Sequence, residues 1–131
     1  MPRAVAAFLM FEGAAEEAMN FYVSLFPGSE VKQVTRYGPG QEVEEGSFQR
    51  AEFTIAGYRL LCFNSPVGHG FTFTPSISLF VDCSNEQEFE HAIKGLSVDG
   101  EFLMPPDNYG FSTRFAWVND RWGVSWQINL P

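Results

Sequence analysis

Apolar runs divided by turn residues predict one helix and four strands in the first half of the chain. The first run is apolar throughout and stops at Glu12-Gly13, which is typical of a buried strand. The spacing of apolar residues then becomes helical, and Pro27-Gly28 ends that helix. A single residue, Gly57, separates the last two strands, which predicts a tight hairpin. The predicted elements are strands at 4–11, 30–37, 48–56 and 58–64, and a helix at 14–25.

The second half of the chain predicts the same order of elements again. Ser84 follows an apolar strand and, with Gln87 three positions later, forms the pattern of a capping box at a helix start. The segment from Pro105 to Asn108 is expected to form a turn. The predicted elements are strands at 76–82, 98–104, 112–118 and 123–130, and a helix from Ser84 to about Lys94. Each half is therefore expected to hold a strand, a helix and three strands.

Two constant shifts in residue number relate the halves and indicate a duplicated module. A shift of 70 places the stretch 9–12 on 79–82, and a shift of 64 places Arg50 on Arg114. The longer loop at 38–46 accounts for the difference between the two shifts. The sequence therefore predicts a single domain, 1–131, that contains two modules at about 4–65 and 75–131.

The composition indicates a globular protein and argues against several kinds of partner. Aromatic residues make up 16% of the 131 residues, and 16 Asp and Glu against 8 Lys and Arg give a net charge of −8. Such a chain folds compactly, but it lacks the cationic surface that nucleic acid or anionic lipid requires. Its longest apolar run is too short to span a bilayer. We expect no nucleic acid and no membrane as partners, and the two cysteines, which make no disulfide framework, favour the cytoplasm.

Two stretches resemble a known family. "FLMFEGAAEEAMNFYVSLFPGSEV" (8–31) and "VNDRWGVSWQINL" (118–130) are similar to the PhnB-like branch of the vicinal oxygen chelate superfamily, which includes glyoxalase I, bleomycin-resistance proteins and extradiol dioxygenases. Members of this branch often carry the label 3-demethylubiquinone-9 3-methyltransferase-like. The resemblance implies an α+β fold in which two βαβββ modules form an eight-stranded open cup. It also implies a homodimer.

The superfamily's enzymes hold a divalent metal through His, Glu or Gln on the first and last strands of each module. The resemblance places these positions on Ala6 or Ala7, on Phe63 (or its neighbours Cys62 and Asn64), on Ser76 and on Gln127. Alanine and phenylalanine have no donor atoms, and a catalytic zinc needs three protein ligands. We therefore expect no metal and no other cofactor.

Seven side chains are candidates for binding a ligand in such a cup. Arg114 either grips a carboxylate or forms a surface ion pair, and its counterpart Arg50 has Glu52 on the same strand face. Cys62 is either a nucleophile or a buried, inert thiol. Gln127 either bonds a ligand or ties strands together. The full set is Gln127, Arg114, Asn64, Cys62, Phe63, Ser76 and Trp126.

The aromatic content predicts a protein that binds a small apolar or aromatic ligand without the usual metal site. The net charge would favour a cationic ligand. The alternative is a metal-dependent lyase, isomerase or dioxygenase of the superfamily. A methyltransferase is less favoured, because Gly38-Pro39-Gly40 precedes no helix and the chain is short for a doubly wound cofactor domain. The sequence does not decide whether the protein is an enzyme.

Overall fold

A computed structural model describes all residues from Met1 to Pro131. The chain divides into two compact units, Met1–Gly70 (module 1) and Phe71–Pro131 (module 2). Each contains one helix and one four-stranded sheet, so the fold is α+β, as expected. The elements of module 1 are β1 (Ala7–Phe11), α1 (Ala15–Leu25), β2 (Glu30–Arg36), β3 (Phe48–Ile55) and β4 (Tyr58–Asn64).

The sheet of module 1 has the strand order β1-β4-β3-β2. Strand β1 runs parallel to β4, and the other pairs are antiparallel. Helix α1 packs on one face of this sheet, because alternate residues of β3 and β4 are apolar and point toward it. The core between helix and sheet consists of buried residues from both sides: Ala15, Ala18, Met19, Tyr22, Ala51, Phe53, Leu60 and Cys62.

The predicted hairpin at Gly57 is present. Strands β3 and β4 are joined by Ala56 and Gly57, whose φ angles are 48° and 86°. Two consecutive residues with positive φ are the mark of a two-residue hairpin turn that follows the twist of the strands. The backbone N–H of Ala56 also donates to Ser29 Oγ at 3.1 Å, which ties this turn to the residue before β2.

Module 2 has the same topology, with the strand order β5-β8-β7-β6 and a parallel pair between β5 and β8. Its helix buries Phe89, Ala92, Ile93 and Leu96 against β7 and β8. The elements are β5 (Leu79–Asp82), α2 (Glu86–Leu96), β6 (Glu101–Asp107), β7 (Arg114–Asn119) and β8 (Ser125–Leu130).

Two local predictions in module 2 are wrong. Helix α2 is capped by Asn85 and not by Ser84, because the Asn85 side chain accepts the N–H of Glu88 at 2.9 Å. Strand β6 extends through Pro105 and Pro106, where a turn was expected. A proline is compatible with β6 because this strand lies at the sheet edge, and its register with β7 is irregular over this stretch.

The duplication extends to the register of the parallel strand pairs. Leu9 pairs with Cys62 in module 1, and Leu79 pairs with Trp126 in module 2, so the shifts of 70 and 64 both hold there. The antiparallel pairs Ala51–Cys62 and Val118–Trp126 give a shift of 67 for β3 and β7. The counterpart of Arg50 is therefore Trp117, and the expected match of Arg50 with Arg114 is wrong.

Candidate functional site

Each sheet has one face that its own helix does not cover, here called the helix-free face. On module 1 this face carries two rows of side chains that cross all four strands, as the strand registers show. The first row is Met10, Phe63, Arg50 and Thr35, and the second is Phe8, Leu61, Glu52 and Gln33. Within these two rows the residues of β1 and β4 are apolar and those of β3 and β2 are polar, and Arg59 lies next to the rows at the start of β4. The face is thus divided into an apolar half and a polar half.

The apolar half presents an exposed aromatic surface. Phe8 is 52% exposed, and its ring centroid lies 4.7 Å from that of Phe63. The guanidinium carbon of Arg50 lies 5.5 Å from the centroid of Phe8, a cation–π distance. Arg50 therefore joins the apolar half to the polar half.

The polar half contains a small cavity of about 220 Å³. Its lining residues are Gln33, Thr35, Arg50, Ala51, Glu52 and Leu61. Glu52 is held by Arg59, whose Nε and Nη2 lie 3.2 Å and 3.3 Å from the two carboxylate oxygens. This two-point pairing balances the charge of Glu52.

The helix-free face of module 2 contains the corresponding row Phe80, Gln127, Trp117 and Met104. Phe80 is 56% exposed. Gln127 donates its amide nitrogen to Ser78 Oγ at 3.2 Å, and Trp117 Nε1 donates to Ser125 Oγ at 2.9 Å. The two serine hydroxyls lie 2.7 Å apart and connect these bonds into one network. The network fixes the orientation of the Gln127 amide and the Trp117 indole.

Further aromatic side chains extend this face toward the loop between β6 and β7. The Phe111 and Phe115 ring centroids are 5.0 Å apart in an edge-to-face arrangement, and Tyr109 lies 6.2 Å from Phe115. Phe80 is 6.4 Å from Phe115. Phe111 is 62% exposed, whereas Phe115 is buried beneath the other rings. Module 2 thus presents a continuous aromatic surface beside the Gln127 network.

Three of the sequence-predicted site residues lie within the helix-covered core or at its end. Cys62 and Trp126 are fully buried on the helix side of their sheets. Burial raises the pKa of the Cys62 thiol to about 12. Trp126 Nε1 donates to Asp120 Oδ2 at 3.0 Å. Asn64 Oδ1 accepts the N–H groups of Gly13 and Ala15 at 3.0 Å and 2.9 Å, and thereby caps α1, whose own N-cap, Ala14, has no side-chain acceptor.

Arg114 is also engaged with the helix of its own module. Its guanidinium forms ion pairs with Glu86 and Glu90 of α2 and lies 4.6 Å from the ring centroid of Phe89. These contacts hold β7 to α2, in agreement with the ion-pair alternative that the sequence left open.

The other three predicted residues lie elsewhere. Phe63 and Gln127 are both on helix-free faces, at corresponding positions of the two modules. Ser76 is exposed before the start of β5, and its hydroxyl lies 2.7 Å from that of Thr74. Among the predicted residues, Phe63 and Gln127 are the ones placed beside exposed aromatic rings.

The residues at the superfamily's metal positions do not fit a divalent ion. Ala7 and Phe63 have no donor atom, and the single amide oxygen of Gln127 falls short of the three protein ligands that a catalytic zinc needs. Nowhere do three His, Cys, Asp or Glu side chains come together in the way a metal site needs. His91 is exposed on α2, and His69 Nε2 lies 2.8 Å from Ser65 Oγ in the loop that follows β4.

A larger cavity of about 720 Å³ lies in module 1, beside the start of α1. Glu12, Glu16 and Glu42 contribute to its wall. Arg36 forms an ion pair with Glu16, and Glu12 accepts the backbone N–H of His69 at 3.3 Å. The charged residues of this wall are mainly acidic, unlike the aromatic residues of the helix-free faces.

Sequence reasoning did not place Phe8, Phe80, Trp117 or Arg50 among the candidate site residues. Strands β1 and β5 are almost entirely apolar, so alternation does not separate the side that faces the helix from the other side. The exposure of Phe8 and Phe80 therefore had no pattern that could reveal it. Glu52, on the strand face of Arg50, is paired with Arg59.

Two modules with the order strand, helix and three strands, each with a parallel outer pair, give the chain the fold of the vicinal oxygen chelate proteins. Within that class, the chain belongs to the PhnB-like family described as 3-demethylubiquinone-9 3-methyltransferase, whose sequence profile matches residues 3–129. Among curated proteins, none matches the chain.

Solved structures agree with this assignment. The PhnB protein from Bacillus cereus is 47% identical, with a TM-score of 0.92, and the match covers 98% of this chain and 100% of that one. Protein PA1353 from Pseudomonas aeruginosa is 19% identical with a TM-score of 0.82, covering 98% of both chains. The fosfomycin resistance protein FosX from Listeria monocytogenes is 14% identical with a TM-score of 0.62, covering 100% and 94%. The last two support the fold alone.

Proposed function

We propose that this protein binds a small apolar or aromatic molecule on the helix-free faces of its sheets, and that it does so without a divalent metal. The observation that carries the proposal is the exposure of Phe8 and Phe80, each more than half accessible on the outer strand of its sheet. Covering one such ring contributes roughly 1.5–3 kcal/mol to binding. Exposed apolar patches with a few polar groups are typical of ligand sites.

The polar groups on these faces suit the recognition of one ligand. Gln127 is oriented by Ser78, and Trp117 is oriented by Ser125, so neither side chain has to be ordered when a ligand binds. Pre-ordered groups lower the entropic cost of association. The absence of donor atoms at Ala7 and Phe63 supports metal-free binding.

Tryptophan fluorescence offers a direct test, because Trp117 lies on the helix-free face of module 2. Saturable quenching by a panel of neutral aromatic compounds is expected from the natural protein and from a Trp122→Phe variant. A Trp117→Phe variant should lose most of that response. No saturable response to any compound, by fluorescence or by calorimetry, would overturn the proposal.

The same protein serves to test the two other functions that the family suggests. Addition of Mn²⁺, Ni²⁺ or Zn²⁺ should leave ligand binding and thermal stability unchanged, and metal analysis should find no stoichiometric ion. A stoichiometric metal would support the superfamily's enzymatic chemistry instead. A saturable response to S-adenosylmethionine would support methyl transfer.

We also propose that the protein is a cytoplasmic homodimer. The exposed ring of Phe111, in the loop between β6 and β7, supplies an apolar surface that a second copy would cover while Phe80 stays open to a ligand. Two separate buried thiols, Cys62 and Cys83, fit a reducing compartment. No helix is both long and apolar enough to cross a membrane.

A further inference from the structure

We propose that the ligand of module 1 is an organic carboxylate whose flat apolar body lies on Phe8 and Phe63 and whose carboxylate binds Arg50. This inference rests on the proposed function and specifies the class of ligand. Its basis is the division of the helix-free face into an apolar half on β1 and β4 and a polar half on β3 and β2.

Arg50 is the cation of this face whose charge is not balanced by a carboxylate. The guanidinium of Arg59 is paired with Glu52 at 3.2 Å and 3.3 Å, and so both charges of that pair are used. Arg50 instead lies over the Phe8 ring at 5.5 Å. The N–H groups of a guanidinium form a planar fork that matches the two oxygens of a carboxylate.

The surroundings of Arg50 fit the two ends of such a ligand. Thr35 lies directly opposite Arg50 on β2, and together they line the cavity of about 220 Å³. Phe63 lies directly opposite Arg50 on β4. A carboxylate bound at Arg50 therefore has a hydroxyl donor on one side, and an aromatic body attached to it extends over Phe63 toward Phe8.

The net charge of −8 favours a cationic ligand for the molecule as a whole, but this face has the opposite local balance. Arg50 and Arg59 supply two positive charges, and Glu52 supplies one negative charge. The charges close to the site determine which charge of ligand is preferred, because charges more than about 10 Å away are largely screened at ordinary ionic strength. The corresponding position of module 2 is Trp117, so the preference for an anion belongs to module 1 alone.

The test compares three probes of the same shape by calorimetry: 2-naphthoate, the neutral 2-naphthamide, and the cationic 2-naphthylmethylamine. The natural protein should bind naphthoate most tightly. An Arg50→Gln variant should bind naphthoate about tenfold to a hundredfold more weakly, as expected for loss of charged hydrogen bonds. Its affinity for naphthamide should change by less than about threefold, because the apolar half is intact.

Two further variants serve as controls. Lys94→Gln removes one positive charge from an exposed position on α2 and should leave the affinity for naphthoate unchanged. Arg50→Lys keeps the charge but loses the two-point geometry, and should give an intermediate affinity. Circular dichroism should show that all variants fold.

The outcomes separate the inference from the proposed function. Equal binding of naphthamide and naphthoate, unaffected by Arg50→Gln, would overturn the carboxylate assignment while leaving apolar binding in place. Tighter binding of the amine would overturn it as well, as would a clear preference for naphthyl phosphate. Failure of every probe to bind, in both modules, would overturn the proposed function itself.

Discussion

At the scale of single residues, the polar side chain with the clearest structural role is Asp120, in the loop between β7 and β8. It is only 4% exposed. Its Oδ1 accepts the N–H groups of Trp122 and Val124 at 2.9 Å and 3.0 Å, and its Oδ2 accepts the indole N–H of Trp126 at 3.0 Å. One carboxylate therefore closes the loop and orients the largest side chain of the module 2 core.

Replacing Asp120 by Asn should destabilise the protein by about 2–3 kcal/mol, because one acceptor oxygen becomes an N–H₂ donor that faces another donor. Urea unfolding measures the change. Asp107→Asn is the matched control: Asp107 is exposed, and its Oδ1 accepts the N–H of Asn108, a bond that an amide oxygen can also accept. The control should stay within about 0.5 kcal/mol of the natural protein. Equal stability of the two variants would contradict the role given to Asp120.

The two buried thiols lead to a prediction about pH. Burial raises the pKa of Cys62 to about 12, and burial together with the charges of Glu88 and Asp82 raises that of Cys83 to about 11. In the native protein both should react with a thiol reagent at about pH 8 far more slowly than an ordinary cysteine, and Cys62 more slowly than Cys83. Both should react at once in denaturant. Rapid native labelling of Cys62 would contradict the prediction.

The raised pKa values of the two thiols also make the free energy of unfolding depend on pH. The unfolded chain loses its thiol protons from about pH 8.5 upward, whereas the folded chain keeps them. Their contribution to stability is therefore fully present below that pH and is lost as the pH rises toward the folded pKa values. A Cys62→Ala variant should show a shallower fall in stability between about pH 9 and pH 11. Urea unfolding across that range measures the slope.

At the scale of elements, helix α1 depends on a side chain from a distant strand. Asn64 of β4 accepts the N–H groups of Gly13 and Ala15, so Asn64→Ala should destabilise the protein by about 1 kcal/mol through loss of the cap. Asn64→Asp keeps an acceptor and should retain most of the stability. Thermal unfolding followed by circular dichroism gives the comparison. If Asn64→Ala matched the natural protein in stability, the cap would not be significant.

The elements also show what the sequence could and could not predict. Alternating burial in β3 and helical spacing in α2 are physical consequences of packing on one face, and both were predictable. The extent of β6 was not, because Pro105 and Pro106 are usual in turns and are compatible with a strand only at a sheet edge. Edge position is a property of the assembled sheet.

The match between the two modules that was inferred from the sequence was wrong for a related reason. Eight residues separate the partners Glu52 and Leu61, whereas five separate their counterparts Asn119 and Ser125. This difference of three lies inside the hairpin and leaves no mark in the apolar pattern. The sequence therefore matched Arg50 with Arg114, although the first lies on a helix-free face and the second is paired with a helix. The candidate site could be located only after the strands were paired.

At the scale of the whole molecule, the charge of −8 and the exposed aromatic rings have opposite effects on self-association. Like charges on two copies repel each other, but this repulsion is screened by salt. Covering an exposed ring such as Phe111 is favourable and independent of ionic strength to first order. We therefore expect an association that salt does not weaken.

Sedimentation should give a mass about twice the 14.7 kDa of one chain at micromolar concentration. The dimer should persist at high salt, because apolar burial and not ion pairing would hold it together. Phe111→Ser and Arg121→Gln are a useful pair of variants: the first removes an exposed ring, and the second changes charge at the loop of β7 and β8. Only the first should weaken the dimer if the second copy covers Phe111. A mass of one chain at every concentration, or dissociation by salt, would contradict the homodimer proposed on these grounds.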